Sequence, residues 1–118
     1  MSNDRRLAPQ DRRQTSRVAA VFAVKKALSV AGGPVQLCQA EDIAPAGMTI
    51  KRPRGSSVTP RTEIELSFSL PGSGEEISAR GLVVSDASTG NFRRTGVRFI
   101  ALAPEHARLI AGYCRRER

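Results

Sequence analysis

Between Thr62 and Leu70 the chain alternates with a strict period of two. Ile64, Leu66, Phe68 and Leu70 fall on one side, and Glu63, Glu65, Ser67 and Ser69 on the other. Only an extended strand, whose successive side chains point to opposite faces, puts such a pattern half in a core and half in water. The neighbouring segments repeat the theme. Pro71-Gly72-Ser73-Gly74 turns the chain into a second run over 77–84, and Gly96-Val97-Arg98-Phe99-Ile100 reads as a strand close to the end. Upstream, Gly32-Gly33-Pro34 breaks the chain before a strand over 35–40, on which Val35 and Leu37 share a face. Pro45-Ala46-Gly47 makes a turn into a short strand over 48–51, and residues 53–60 read as a loop. The stretch 86–94 reads as a polar loop. Local sequence leaves 18–28 open between helix and strand: Lys25-Lys26 and the alanines suit a helix, while Val18, Val21, Phe22 and Val24 suit a strand.

The last segment differs. Ala103-Pro104-Glu105 places proline in a first helical turn with an acid near the positive end of the dipole. Ala107, Ile110 and Cys114, flanked by Leu109 and Tyr113, form an apolar stripe that ends in Arg115 and Arg116. Strands joined by tight turns, with no helix between them, predict antiparallel β structure closed as a small barrel and covered by this terminal helix.

Composition limits what the fold can do. With 118 residues, 40% hydrophobic and 25% charged, the chain makes one globular domain, and its net charge of +8 calls for an anionic partner. No apolar run approaches the ~20 residues of a membrane span. Residues 1–10 are polar and aperiodic and are expected to form a flexible N-terminal tail ahead of a single domain over 11–118. They also lack the apolar segment of a signal peptide, which points to a cytoplasmic protein. Cys38 and Cys114 stand far apart without nearby histidines, so they read as free thiols and not as a metal site. His106, the one histidine, sits at the helix start, where a surface or capping role is expected. No arrangement of nucleophile and base emerges, and no phosphate-cradling Gly-rich loop precedes a Lys-Ser/Thr pair. A binding module without cofactor is expected, not an enzyme.

Two polar segments carry the functional signal. Arg12-Arg13-Gln14-Thr15-Ser16-Arg17 packs three guanidiniums just before the first apolar run, each able to fork onto a phosphate or a guanine O6/N7 edge. Asp42-Ile43-Ala44-Pro45-Ala46-Gly47 follows at a strand end. Together with Gly96-Val97-Arg98-Phe99 and the terminal helix, in that order, these residues resemble the PilZ domain family, bacterial receptors for cyclic di-GMP. The resemblance covers nearly all of the chain from Asp11 onward. It implies a mainly β fold, a six-stranded antiparallel β-barrel with a C-terminal α-helix, and it makes 18–28 a strand.

The resemblance further implies a cyclic di-GMP site at Arg12, Arg13, Arg17, Asp42, Ala44 and Gly47. Arg13 and Arg17 would wrap over the ligand, Asp42 would accept from guanine N–H groups, and Gly47 would leave room at the barrel surface. Where the family pattern (Asp/Asn)-x-Ser-x-x-Gly has serine, this chain has Ala44. The missing hydroxyl contact is expected to weaken binding a few-fold to roughly a hundred-fold. Arg12, with Lys51 and Arg52 as helpers, supplies charge for an intercalated dimer of the ligand. The expected function is a stand-alone receptor in which ligand orders the arginine loop and creates a surface for an unidentified protein partner. The alternative is a PilZ-like interaction module that has lost the nucleotide. Single-stranded nucleic acid ranks last, because such sites want exposed aromatics. Aromatic residues make up only 4% of this chain, and Phe68 and Phe99 are expected to face the core. Asp86-Ala87-Ser88-Thr89-Gly90 reads as an ordinary turn, and Lys51-Arg52-Pro53-Arg54 as a solvated basic loop.

Overall fold

The structure is a computed structural model that describes residues 17–28, 34–53 and 58–117. The expected tail over 1–10 and the residues Arg12 and Arg13 lie outside the described residues. Seven strands follow in chain order: β1 (Val18–Ala19), β2 (Ala23–Leu28), β3 (Val35–Ala44), β4 (Gly47–Pro53), β5 (Glu63–Ser69), β6 (Glu76–Thr89) and β7 (Phe92–Leu102). Among the described residues one helix, α1 (Pro104–Glu117), follows β7.

All pairings are antiparallel. The sheet runs β2, β5, β6, β7, β4 and closes when β4 returns to β3, which also pairs with β2. β1 and β2 lie end to end along the same side of β3, so the barrel has six positions. The segment 18–28 is therefore extended but interrupted. Between its two halves, Ala20 N–H donates to the Glu41 carbonyl and Ala40 N–H to the Phe22 carbonyl. The break faces a register shift on β3 between Ala40 and Asp42, and an extra residue of that kind bends and locally unpairs a strand.

The alternation of β5 holds: Ile64, Leu66 and Phe68 are buried. Each fully buried side chain of this size contributes about 1.5–3 kcal/mol. Inward residues of the other strands, among them Val24, Ile43, Met48, Ile50, Ile77 and Val97, complete the core. On β3 the shared face of Val35 and Leu37 is the outer one, with both about two-thirds exposed, and Cys38 and Ala40 turn inward. Both cysteines are buried free thiols. α1 closes one end of the barrel with Ile110, Tyr113 and Cys114, and the Cys114 thiol lies 3.6 Å from the Ile43 carbonyl. His106 takes a modest role there, its Nδ1 lying 3.4 Å from Ser78 N–H.

Two expectations need correction. The stretch 86–94 is not a polar loop: β6 and β7 run on as a long hairpin that turns at Gly90, whose φ of +61° suits glycine. Pairing continues because Asp86 is an anchor for its surroundings and not a turn residue. Its Oδ1 accepts from Arg52 Nη2 (3.0 Å) and Thr95 Oγ1 (2.5 Å), and its Oδ2 from Arg93 Nε (2.8 Å) and the Val58 amide (3.1 Å). The run 51–53 is likewise not a solvated loop but the end of β4, with Arg52 buried. This polar cluster lies inside the barrel toward the end away from Ile43, where α1 packs.

Candidate functional site

Arg17 enters β1 directly, and β1 pairs with the far end of β3, so Val18 lies opposite Ile43 and Ala19 opposite Asp42. That register brings the guanidinium of Arg17 onto Asp42, which its Nη1 contacts as an ion pair. Thr49, the cross-strand partner of Asp42 on β4, has its hydroxyl 3.5 Å from the same nitrogen. The β3–β4 hairpin thus joins an arginine and an aspartate that lie far apart in sequence. Both remain partly in contact with water, which leaves the pair open to competition from a ligand.

Two depressions meet at this pair. One, of about 600 Å³, is bounded by Arg17, Gln39, Glu41, Asp42, Lys51 and Arg94. The other, of about 450 Å³, lies toward Gly47, Thr49, Ser85, Gly96 and Arg98. Cations border both, as a site for an anionic ligand requires. Glu41 offsets part of that charge: it holds Arg94 through contacts of 2.6 and 3.2 Å. The hydrogen bond from Arg94 keeps the Glu41 carboxyl below its ordinary range. Next to it, Lys51 Nζ sits 4.6 Å from the centre of the Phe92 ring, with the Arg94 guanidinium 5.9 Å from the same ring.

The remaining expected residues are placed differently. Gly47 is buried, and a Cβ built on it would come within 2.2 Å of the Val97 carbonyl oxygen. Its lack of a side chain therefore serves the close approach of β4 to β7. Ala44 follows Asp42 by two residues, which puts both on one strand face, and it is buried. Arg52 is not a helper at the site. It points into the barrel, donating to Thr95 Oγ1 at 2.8 Å and to Asp86.

Sequence reasoning missed Glu41, Thr49, Arg94 and Phe92. Lys51 and Arg94 are register partners 43 residues apart on β4 and β7. Only the outward alternation of Thr49 and Lys51 hinted at that side of the face.

A family model described as PilZ domain matches residues 11–116, which include every expected contact residue. The chain belongs to the PilZ domain family. Solved structures agree on the fold. The Bacillus subtilis inhibitor of motility MotI/DgrA superposes with a TM-score of 0.72 at 18% identity, over 85% of this chain and 48% of that one. This chain thus spans about half the length of that protein. The PilZ domain of YcgR from Escherichia coli, solved with c-di-GMP, gives 0.66 at 12% identity over 86% and 87% of the two chains. The PilZ domain of CeSA from a cellulose-synthesizing bacterium gives 0.64 at 15% identity over 85% and 95%. Among curated proteins none matches significantly. Among the described residues no helix is long and apolar enough to cross a membrane.

Proposed function

We propose that this PilZ domain is a cytoplasmic receptor for cyclic di-GMP, acting by binding and not by catalysis. The observation that carries the reading is the convergence of Arg17 on Asp42 and Thr49 beside a cation-bordered depression of about 600 Å³. In this reading the ligand breaks the Arg17–Asp42 pair and takes both partners. Phosphate or a guanine O6/N7 edge receives the guanidinium, and guanine N–H groups donate to the carboxylate. Arg13 closes over the ligand from the segment ahead of β1, and Arg12 supports a second, intercalated molecule, with Lys51 as its helper on the barrel wall. The ordered arginine segment then forms a surface for a protein partner, a disorder-to-order switch.

Calorimetric titration of cyclic di-GMP, beside GMP and single-stranded DNA, tests the reading. Saturable binding of cyclic di-GMP alone, with two ligands per chain, is the expected result. Arg12→Leu should move the ratio toward one. A wild-type ratio of one would remove the role given to Arg12, and no binding would remove the receptor reading altogether.

A second reading, an interaction module without nucleotide, draws on Ala44. The position lacks the hydroxyl of the family pattern and is buried against the protein. That reading predicts no heat from any nucleotide.

A further inference from the structure

Lys26 lies on the inner side of β2, cross-strand from Gln36 on β3 and Leu66 on β5. Only 7% of it reaches solvent. Among the described residues it has neither a hydrogen bond nor an ion pair. A buried ammonium carries three donors and costs several kcal/mol when nothing accepts from them.

The obvious acceptor is already taken. Among the described residues Asp86 is the one acid of the inner polar cluster, and its oxygens accept four donors from Arg52, Thr95, Arg93 and the Val58 amide. A carboxylate has about four lone-pair sites, so none remains for Lys26. Gln36 Oε1 is also engaged, at 3.4 Å from Arg52 Nη1. Lys26, Arg52 and Arg93 thus lie around one carboxylate, Asp86, whose oxygens Arg52 and Arg93 already use.

We propose that this end of the barrel is an anion site, in which a small oxyanion of phosphate or carboxylate type serves as the acceptor that Lys26 lacks. It lies on the inner side of the wall, apart from the outer face of Arg17 and Asp42. One bound anion satisfies Lys26 and relieves its repulsion with Arg52. Burial, and after it the Arg52 charge, push the Lys26 amine below its ordinary range when no anion is bound. An anion beside the amine opposes that shift.

The probe is inorganic phosphate. Thermal unfolding is followed in phosphate and in chloride at matched ionic strength, for the wild type, Lys26→Met and Arg17→Gln. Phosphate should raise the midpoint of the wild type and of Arg17→Gln by roughly 4–8 °C over chloride, and leave Lys26→Met within ~1 °C. In the wild type the Lys26 Cε resonance should titrate at higher pH in phosphate than in chloride, and this decides the matter if Lys26→Met fails to fold. An equal rise in Lys26→Met, or a rise lost only in Arg17→Gln, places the phosphate elsewhere and overturns the proposal. No rise, with an unchanged Lys26 titration, overturns it too, since Lys26 is then an unliganded neutral amine.

Discussion

Two arginine–aspartate pairs, one exposed at β1 and β3 and one buried between β4 and β6, do different work. In the outer pair, Arg17 and Asp42, the side chains are 48% and 27% exposed; in the inner pair, Arg52 and Asp86, they are 3% and 2% exposed. An exposed pair is screened by water and contributes about 0.2–1 kcal/mol, so its partners exchange readily for a ligand. A buried pair, once one partner is removed, leaves an uncompensated charge that costs about 3–5 kcal/mol. Asp86 goes further, because it also receives Thr95 and the Val58 amide and so ties β4, β6, β7 and the approach to β5 together. The same two residue types thus make a weak, solvent-screened contact where water reaches them and a structural one where it does not.

The comparison breaks most visibly at Asp86. Asp86→Ala should cost about 3–5 kcal/mol, read as a large fall in the unfolding midpoint, while Asp42→Ala should change stability by less than ~1 kcal/mol. A pH series adds a sign. Burial pushes the Asp86 carboxyl up, but the hydrogen bonds from Thr95, the Val58 amide, Arg52 and Arg93 outweigh it and hold it well below the usual carboxylate range. A group lowered in the folded state contributes stability that is full above the unfolded carboxylate value, and that contribution is lost as pH falls toward the folded one. Wild type should therefore lose stability in acid below about pH 4, and Asp86→Asn should start lower and fall less over the same range. Equal acid slopes in the two proteins would show that Asp86 does not anchor the cluster.

Gly47 comes next in size. A methyl group there meets the Val97 carbonyl oxygen at 2.2 Å, so β4 and β7 must part. Gly47→Ala should cost about 1–3 kcal/mol by overpacking and disturb the Thr49 side of the outer face. A variant as stable as wild type would return Gly47 to the role of ligand clearance alone.

Arg17→Ala should invert the pattern seen at Asp86. Its stability cost stays under ~1 kcal/mol, while cyclic di-GMP affinity, measured by calorimetry, falls at least ~10-fold, the equivalent of about 1.4 kcal/mol. A variant that binds like wild type would make the outer pair a solvated surface contact and nothing more.

The contrast between the two pairs also marks what the sequence could carry. Period-two alternation made β5 legible, because a half-buried strand writes its environment into neighbouring residues, and proline followed by an acid located α1 for a similarly local reason. Arg17 and Asp42 were legible only through the family pattern, since nothing local links residues 25 positions apart. The inner cluster was misread for a physical reason. Arg52 and Asp86 look like surface residues in any linear reading, and only the register of β4, β6 and β7 reveals that their charges satisfy each other inside the barrel. Glu41 and Arg94 stayed hidden in the same way, as did the outward orientation of Val35 and Leu37, because alternation shows that two residues share a face but not which face is wet.

The smallest effect tests the outer face most finely. Ala44 is buried, two residues along the strand from Asp42, and the family pattern places a serine hydroxyl there. Two consequences of Ala44→Ser oppose one another. In the free protein the added hydroxyl is buried, and left unpaired it costs about 1–3 kcal/mol, so the unfolding midpoint should drop. With cyclic di-GMP bound, the hydroxyl gains an acceptor, and a hydrogen bond to a charged phosphate contributes about 1.5–3 kcal/mol. Affinity should therefore rise by roughly 10-fold, each 1.4 kcal/mol being one decade. Calorimetry and thermal unfolding on the same variant separate these effects. A lower midpoint with tighter binding places Ala44 at the ligand. A lower midpoint with unchanged binding makes Ala44 a packing residue like Gly47, and the ligand-contacting face would then end at Asp42 and Thr49.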